Sequence, residues 1–334
     1  MKLIFDINGG DNKSEIILGA IDALNEYKNE IVLVGKEDFI RESLKDIEYD
    51  REKVTIIDAT ETIENDEEPA FALRRKKDSS IVKGLKLLKE DKDQAFISAG
   101  STGALLAGGI FIVGRIKGVK RAVLPTVIPG LKSKTMIIDS GANMDTNPEL
   151  LKDFAEIGEV FLREYYKIEN PKIGLLNVGM EEGKGNELAK NTYALLKDSS
   201  LNFGGNIESR DITNNDFDLV ICDGFDGNIL LKSIEGVVEF VSKKLFSTIK
   251  EADFDNELKE KLSRYLMMKF KNLDSTEVGG TNLLGIDGNI IKAHGNSNRN
   301  AIKNAAKYAI EIQKTNVIEK IKEKMEAKWW KIRF

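Results

Sequence analysis

The sequence predicts an α/β protein with a doubly wound, mostly parallel sheet, and three observations carry that expectation. Short continuous runs of Ile, Val, Leu and Phe recur along the chain, the pattern of strands covered on both faces. Between them lie stretches with apolar residues three and four apart, the pattern of amphipathic helices. Four times an apolar run empties into a Gly-rich polar loop that opens a helix. The loops are Asn8-Gly9-Gly10-Asp11, Ser98-Ala99-Gly100-Ser101-Thr102-Gly103, Asn177-Val178-Gly179 running on to Lys184-Gly185-Asn186, and Asp223-Gly224-Phe225-Asp226-Gly227-Asn228. In open α/β sheets such loops gather at the carboxyl ends of strands, where ligands bind, and free N–H groups there favour anions.

Taken in order, the strand-like runs are Lys2–Ile7, Glu30–Gly35, Val54–Ala59, Gln94–Ser98, Ala122–Ile128, Thr135–Asp139, Lys172–Val178, Leu201–Ile207 and Leu219–Cys222. Ile16, Ile17, Ala20, Ile21 and Leu24 make the first helical stripe. Leu151, Phe154, Ile157, Phe161 and Tyr165 make another, with Pro148 suited to its first turn after Asn147. Ile229, Leu230, Ile234, Val237, Val238 and Val241 form a third. Residues 251–273 read as a helical excursion with Leu258, Leu262, Leu266 and Phe270 along one side, a face for a membrane or a second subunit. Leu283–Ile286 and Asn289–Ala293 read as a hairpin with a type I′ turn at Asp287-Gly288. One long helix is expected from about Ser297 to Trp330, and the C-terminal Lys328–Phe334 is amphipathic and aromatic. The whole, 1–334, reads as a single α/β domain with a soft division near 140.

The formal charge of −5 argues against a general nucleic-acid binder. One cysteine, Cys222, excludes an internal disulfide and fits a reducing compartment; with one histidine as well, no transition-metal site is expected. Residues 94–114 carry no charge, but five glycines break them into strand, loop and helix rather than a membrane span. Met1–Asp6 lacks an apolar leader core and reads as a first strand.

The chemistry sits in the loops. Gly100-Ser101-Thr102-Gly103 is neither a P-loop nor a dinucleotide fingerprint, yet its backbone and two hydroxyls can approach an anion. Asp139-Ser140-Gly141-Ala142-Asn143 and Asp223–Asn228 each follow a strand with an acid, a glycine and an amide; acids there cap or orient, and Asn143 and Asn228 can donate to an oxyanion. Lys184 stands among glycines at a helix start and either neutralises phosphate or is simply solvated. His294, in Lys292-Ala293-His294-Gly295, can act as general acid or phosphate ligand. Cys222 lies in a strand without a local base and does not read as a nucleophile. Arg74-Arg75-Lys76-Lys77 is a basic run in an acidic chain, a solvated face or a dock for an acidic partner.

In this order the loops resemble the bacterial phosphate acyltransferase family, which moves a fatty acyl group from acyl carrier protein to inorganic phosphate. The resemblance runs from Asp6 to the final helix. It rests on Asn8–Asp11, Arg74–Ser80, Ser98–Gly100 with Thr102–Leu105, Gly141–Asn143, Glu181-Glu182 with Lys184–Leu188, Asp223–Phe225 with Gly227-Asn228, Gly279-Gly280 and Lys292–Gly295. Ser101, Met180, Asp226 and Asn296 depart from the family pattern. Asp226 matters most, since a negative charge beside phosphate weakens binding unless it points away.

The resemblance implies a Rossmann-like α/β/α sandwich similar to phosphotransacetylase and the isocitrate/isopropylmalate dehydrogenase fold. It also implies a cytoplasmic homodimer in loose membrane contact, needing no cofactor and making acyl phosphate for phospholipid synthesis. Lys184, Asn228 and His294 are then the expected catalytic residues, and Gly100, Ser101, Thr102, Gly103 and Asn143 the phosphate site. Asp6, Asp11, Asp139, Asp223, Gly227 and Lys292 support them, and Arg74, Arg75, Lys76 and Lys77 dock the acidic carrier. Two alternatives stand beside this reading: a phosphotransacetylase-like enzyme using acyl-CoA, and a non-catalytic scaffold recruiting acyl carrier protein. A nicotinamide-dependent dehydrogenase would need a fingerprint the chain lacks.

Overall fold

A computed structural model describes residues 1–271 and 279–333, with side chains except those of 270, 271 and 331–333. The strands are β1 (Lys2–Asp6), β2 (Glu30–Gly35), β3 (Val54–Asp58), β4 (Ala95–Ser98), β5 (Thr126–Pro129) and β6 (Lys134–Ile138). They continue as β7 (Ile173–Asn177), β8 (Phe203–Glu208), β9 (Leu219–Ile221), β10 (Thr281–Asn282) and β11 (Asn289–Lys292). The helices are α1 (Lys13–Tyr27), α2 (Glu37–Ser43), α3 (Pro69–Arg75), α4 (Ser80–Glu90), α5 (Thr102–Gly108) and α6 (Pro148–Tyr166). After them come α7 (Glu187–Lys197), α8 (Gly224–Glu251), α9 (Asn256–Lys271), α10 (Arg299–Thr315) and α11 (Val317–Arg333).

These strands form two sheets. The first has the order β10-β11-β4-β1-β2-β3, the second β5-β6-β9-β7-β8. Each is parallel except for one antiparallel edge strand, β10 beside β11 and β5 beside β6. The Gly-rich loops at the strand ends therefore divide between two sheets. Late β11 returns to pair with β4, Ile290 opposite Phe96, and completes the first sheet across the second.

The period-two alternation of the strands builds the layers. In β1, Leu3 and Phe5 join a core with α1 and α10, while Ile4 faces a second core with α4 and α5. In the second sheet Ile138 and Ile221 join the first core through α6, and Ile137 and Val220 face Leu230 of α8. One apolar core thus runs through both sheets and ties their relative position.

Three local expectations shift. The hairpin pairs Thr281 with Lys292, so Leu284 and Ile286 instead bridge Val123 and Arg115 and stitch the two halves together. The long terminal helix is cut by Asn316, whose φ of 52° caps α10 in the left-handed region. The excursion begins only after α8 has run to Glu251; α9 then packs back on it, with Leu262 and Leu266 half-buried and Tyr265, Met267 and Met268 exposed. Leu273, the side chains of Phe270, Lys331, Ile332 and Arg333, and Phe334 lie outside the described residues.

Candidate active site

In the first sheet the chain departs from β1 to one side and returns at β4 on the other. The loops after β1 and β4 therefore face each other across a topological switch point. Asp6, fully buried, holds them together. Its Oδ2 accepts from Ser98 Oγ at 2.6 Å and its Oδ1 from the Gly9 N–H at 3.0 Å. Burial pushes its carboxyl above the usual range, with hydrogen bonds from Ser80 and Ser98 opposing. At Gly10, with φ +86°, a Cβ would stand 2.8 Å from Ala99 Cβ and 2.9 Å from Gly295 O, so a glycine is required where three loops meet.

The third loop follows β11. The Ala293 N–H donates to Ser98 O at 2.9 Å and the Asp11 N–H to Gly295 O at 2.8 Å, which brings Lys292 and His294 to the switch point. Lys292 is partly buried and Nζ donates to Ala293 O. Burial lowers its pKa to about 8, against the opposing charges of Asp6 and Asp11, while Lys232 lowers it further. His294 is exposed; its Nδ1 accepts from the Asn296 N–H at 3.4 Å, which leaves the proton of the neutral ring on Nε2.

The second sheet supplies the opposite wall through Asp139. Its Oδ1 accepts from the N–H groups of Leu124 and Ala142, both at 3.1 Å. Its Oδ2 accepts from Asn143 N at 2.7 Å and Asn143 Nδ2 at 2.8 Å. Burial raises its pKa despite these bonds. Helix α8 starts against this turn. The Gly224 N–H donates to Asn143 O at 2.7 Å, and a Cβ on Gly227 would come within 1.9 Å of Asp139 O. The close approach lays Asn228 beside Gly141, and among the described residues nothing bonds its amide.

A cavity of about 540 Å³ opens where these parts meet, with Gly100, Thr102, Gly141, Asn228 and His294 among its lining. Three of the four Gly-rich loops send residues to this cleft, which lies between the two sheets; the loop from Asn177 to Asn186 does not. Several expected roles change. Asn143 spends both amide hydrogens, on Ala122 O and Asp139, so it braces the turn and has no donor for phosphate. The Gly100 N–H is taken by Ser98 Oγ at 3.0 Å and Ser101 Oγ caps α5 at Ala104; Gly103 is backed by Pro69. Thr102 keeps its donors for the cleft.

Lys184 is exposed, and its neighbours Gly185 and Asn186 line a different cavity, of about 620 Å³. Asp223 and Asp226 line that second cavity too, so the structure does not bring Lys184 to His294. Asp223 acts as the α8 cap, accepting from the Asp226 N–H at 2.8 Å. Cys222 donates to Asp139 O, and burial pushes its thiol well up, as suits a packed residue. Of the basic run, Arg74, Arg75 and Lys77 are exposed, but Lys76 ends α3 by folding back on Glu67 and Thr62 O. Lys117 sits 4.3 Å over the rings of both Trp329 and Trp330, and Lys328 bridges to Asp153 and Glu156, so the aromatic terminus is docked on the body. Lys232, one helical turn after Asn228, also lines the cleft; the four-residue spacing was the signal that could have found it.

Comparison with known proteins fits this architecture. The family model described as fatty acid synthesis protein matches residues 1–320. The chain is 44% identical over 332 residues to the phosphate acyltransferase of Clostridium tetani, covering 97% of this chain and 98% of that one. It is 46% identical over 328 residues to the phosphate acyltransferase of Clostridioides difficile, covering 96% and 95%. Among solved structures, a phosphotransacetylase from Streptococcus pyogenes superposes with a TM-score of 0.60 at 16% identity, covering 96% of this chain and 94% of that chain. A branched-chain phosphotransacylase from Enterococcus faecalis V583 gives 0.56 at 12% identity, covering 94% and 99%. These last two share the α/β fold. The chain belongs to the bacterial phosphate acyltransferase family, and it is an acyltransferase.

Proposed function

We propose that the chain moves a long-chain fatty acyl group from acyl carrier protein to inorganic phosphate, releasing acyl phosphate for phospholipid synthesis. The observation that carries this reading is the uncommitted Asn228 amide, the Thr102 donors and the Nε2–H tautomer of His294 in one cleft. A phosphate oxygen attacks the thioester carbonyl. Asn228 donates to the developing oxyanion, and the C–S bond breaks as the carbonyl reforms. The Nε2–H of His294 donates a hydrogen bond to the departing sulfur, and the thiolate takes up the proton of the phosphate hydroxyl through solvent, so acyl thioester and hydrogen phosphate balance acyl phosphate and thiol.

Further features support the carrier and the assembly. Arg74, Arg75 and Lys77 flank the 61%-exposed Phe71 on α3, and Asn65 from the preceding segment lines the cleft. An acidic carrier docked there sits at the rim. Val237, Phe240, Val241 and Leu245 leave an apolar stripe exposed on α8, which a second copy covers in a homodimer. No helix among the described residues is long and apolar enough to cross a membrane. The reading places the protein in the cytoplasm, touching the membrane peripherally through Phe254 and Leu258 at the turn of the α8–α9 arm.

The test incubates the protein with palmitoyl-acyl carrier protein and phosphate and traps product with hydroxylamine. Hydroxamate above the background that hydroxylamine draws from the thioester itself should form only with the protein and both substrates present. His294→Ala should lose roughly 10²-fold or more in kcat and Asn228→Ala a comparable factor. No hydroxamate from the parent protein, or near-normal turnover in His294→Ala, would refute the reading.

A further inference from the structure

Two ammonium groups face the same cleft from opposite sheets, and neither was needed for the steps above. Lys292 ends β11 in the first sheet; Lys232 lies on α8, which leaves the second. They are near enough for the charge of Lys232 to depress the Lys292 pKa. Like charges brought to one space cost energy unless an anion lies between them. Carboxylates stand near each of them, but none is bonded to both. Asp6 is occupied by Ser98, the Gly9 N–H and Ser80, and is pushed toward its neutral form. Glu235 holds Lys232 at 2.7 Å from its own α8 turn, at the cleft mouth. Asp11 lines the cavity beside Lys292 and, with His294, completes the charged or titratable groups among the described lining.

We infer that Lys232 and Lys292 form a two-sided clamp for a phosphate group, one ammonium from each sheet, with Thr102 and Asn228 lining the same cavity. This rests on the proposed acyl transfer to phosphate and names the groups that hold the acceptor. Such a clamp makes phosphate the bridge across the cleft, so the acceptor itself draws the two walls together on the reacting carbonyl. The same chemistry would also suit the phosphate of a pantetheine arm on the donor; the position of Lys292 beside His294 favours the acceptor.

Kinetics with phosphate and palmitoyl-acyl carrier protein varied separately decide between the sources. Lys232→Met and Lys292→Met should each raise the phosphate KM about tenfold or more, with the donor KM within about twofold. In the parent protein the phosphate KM should climb above pH 8 as Lys292 loses its proton, and Lys292→Arg should flatten that climb while keeping phosphate binding. A rise in the donor KM alone, or an unchanged phosphate KM in Lys232→Met, overturns the clamp. Calorimetric titration with inorganic phosphate alone separates this from the enzymatic reading. If no hydroxamate forms in any assay, a weakened phosphate Kd in Lys232→Met still supports the clamp, and an unchanged one still refutes it.

Discussion

Asp139 joins the second sheet to the cleft, and its replacement gives a graded outcome that follows from which oxygen accepts which donor. Asp139→Ala orphans four donors. Two of them, Asn143 N and Asn143 Nδ2, are buried and share Oδ2; the other two, Leu124 N and Ala142 N, are partly buried and share Oδ1. A buried unsatisfied donor costs about 1–3 kcal/mol, and partly buried ones can turn to water, so a loss of about 4 kcal/mol is expected. Asp139→Asn keeps one oxygen. Turned toward Asn143, that oxygen retains the buried pair and sets its NH₂ against the Leu124 and Ala142 donors, for a loss of about 2 kcal/mol.

The pH dependence separates charge from hydrogen bonding. Burial raises the folded pKa of Asp139 above its unfolded value, so the folded state takes up the proton first on acidification. The contribution of this group is full below the unfolded pKa and is lost as pH rises through the folded one. Relative to Asp139→Asn, the parent should therefore gain stability as pH falls into the acid range. Urea unfolding followed by circular dichroism measures both effects. A loss under about 1 kcal/mol in Asp139→Ala, or equal losses in the Ala and Asn variants, refutes the account of the turn.

Two further outcomes bear on assembly. Reversing Arg74, Arg75 and Lys77 to Glu should raise the KM for acyl carrier protein about tenfold, falling with salt, and leave the phosphate KM unchanged; an equal effect on both substrates would place the carrier elsewhere. Phe240→Glu should shift a dimer toward monomer in sedimentation, since each fully buried large apolar side chain contributes about 1.5–3 kcal/mol and a carboxylate in that seam would be desolvated. An unchanged mass would show that something other than α8 joins the copies.

The strand and helix rhythm was legible because each strand is covered on both faces and each helix carries one stripe, so local pattern and tertiary burial agree. The loops were legible for the same reason: a glycine with polar neighbours after an apolar run has few other uses. Sheet membership was not. Whether β11 joins the first or second sheet depends on Ile290 meeting Phe96, a pairing between distant parts of the chain that no local window contains. Nor could residue type tell a donor that is free from one already spent. Asn143 and Asn228 occupy like positions after like acids, yet Asn143 is consumed by Ala122 and Asp139, and Asn228 is left open. Asn316 is different, since an Asn after a basic last turn is a recognisable helix stop and the signal was present.

The unexpected acid at 226 finds its place through the same helix that presents Asn228. Successive residues of an α-helix turn by about 100°, so positions two apart point about 200° away from each other. Asp226, Ile229, Leu230 and Ser233 accordingly line the second cavity, while Asn228, Leu231, Lys232 and Glu235 line the cleft on the opposite face. Burial and the neighbouring Asp223 raise the Asp226 pKa. The helix backbone thus stands between this carboxyl and the space in which phosphate would bind. Lys184 falls on the Asp226 side of the same divide, beside Gly185 and Asn186. One helix phase, fixed where Gly227 meets Asp139 O, therefore decides at once that Asn228 and Lys232 face the cleft and that Asp226 does not.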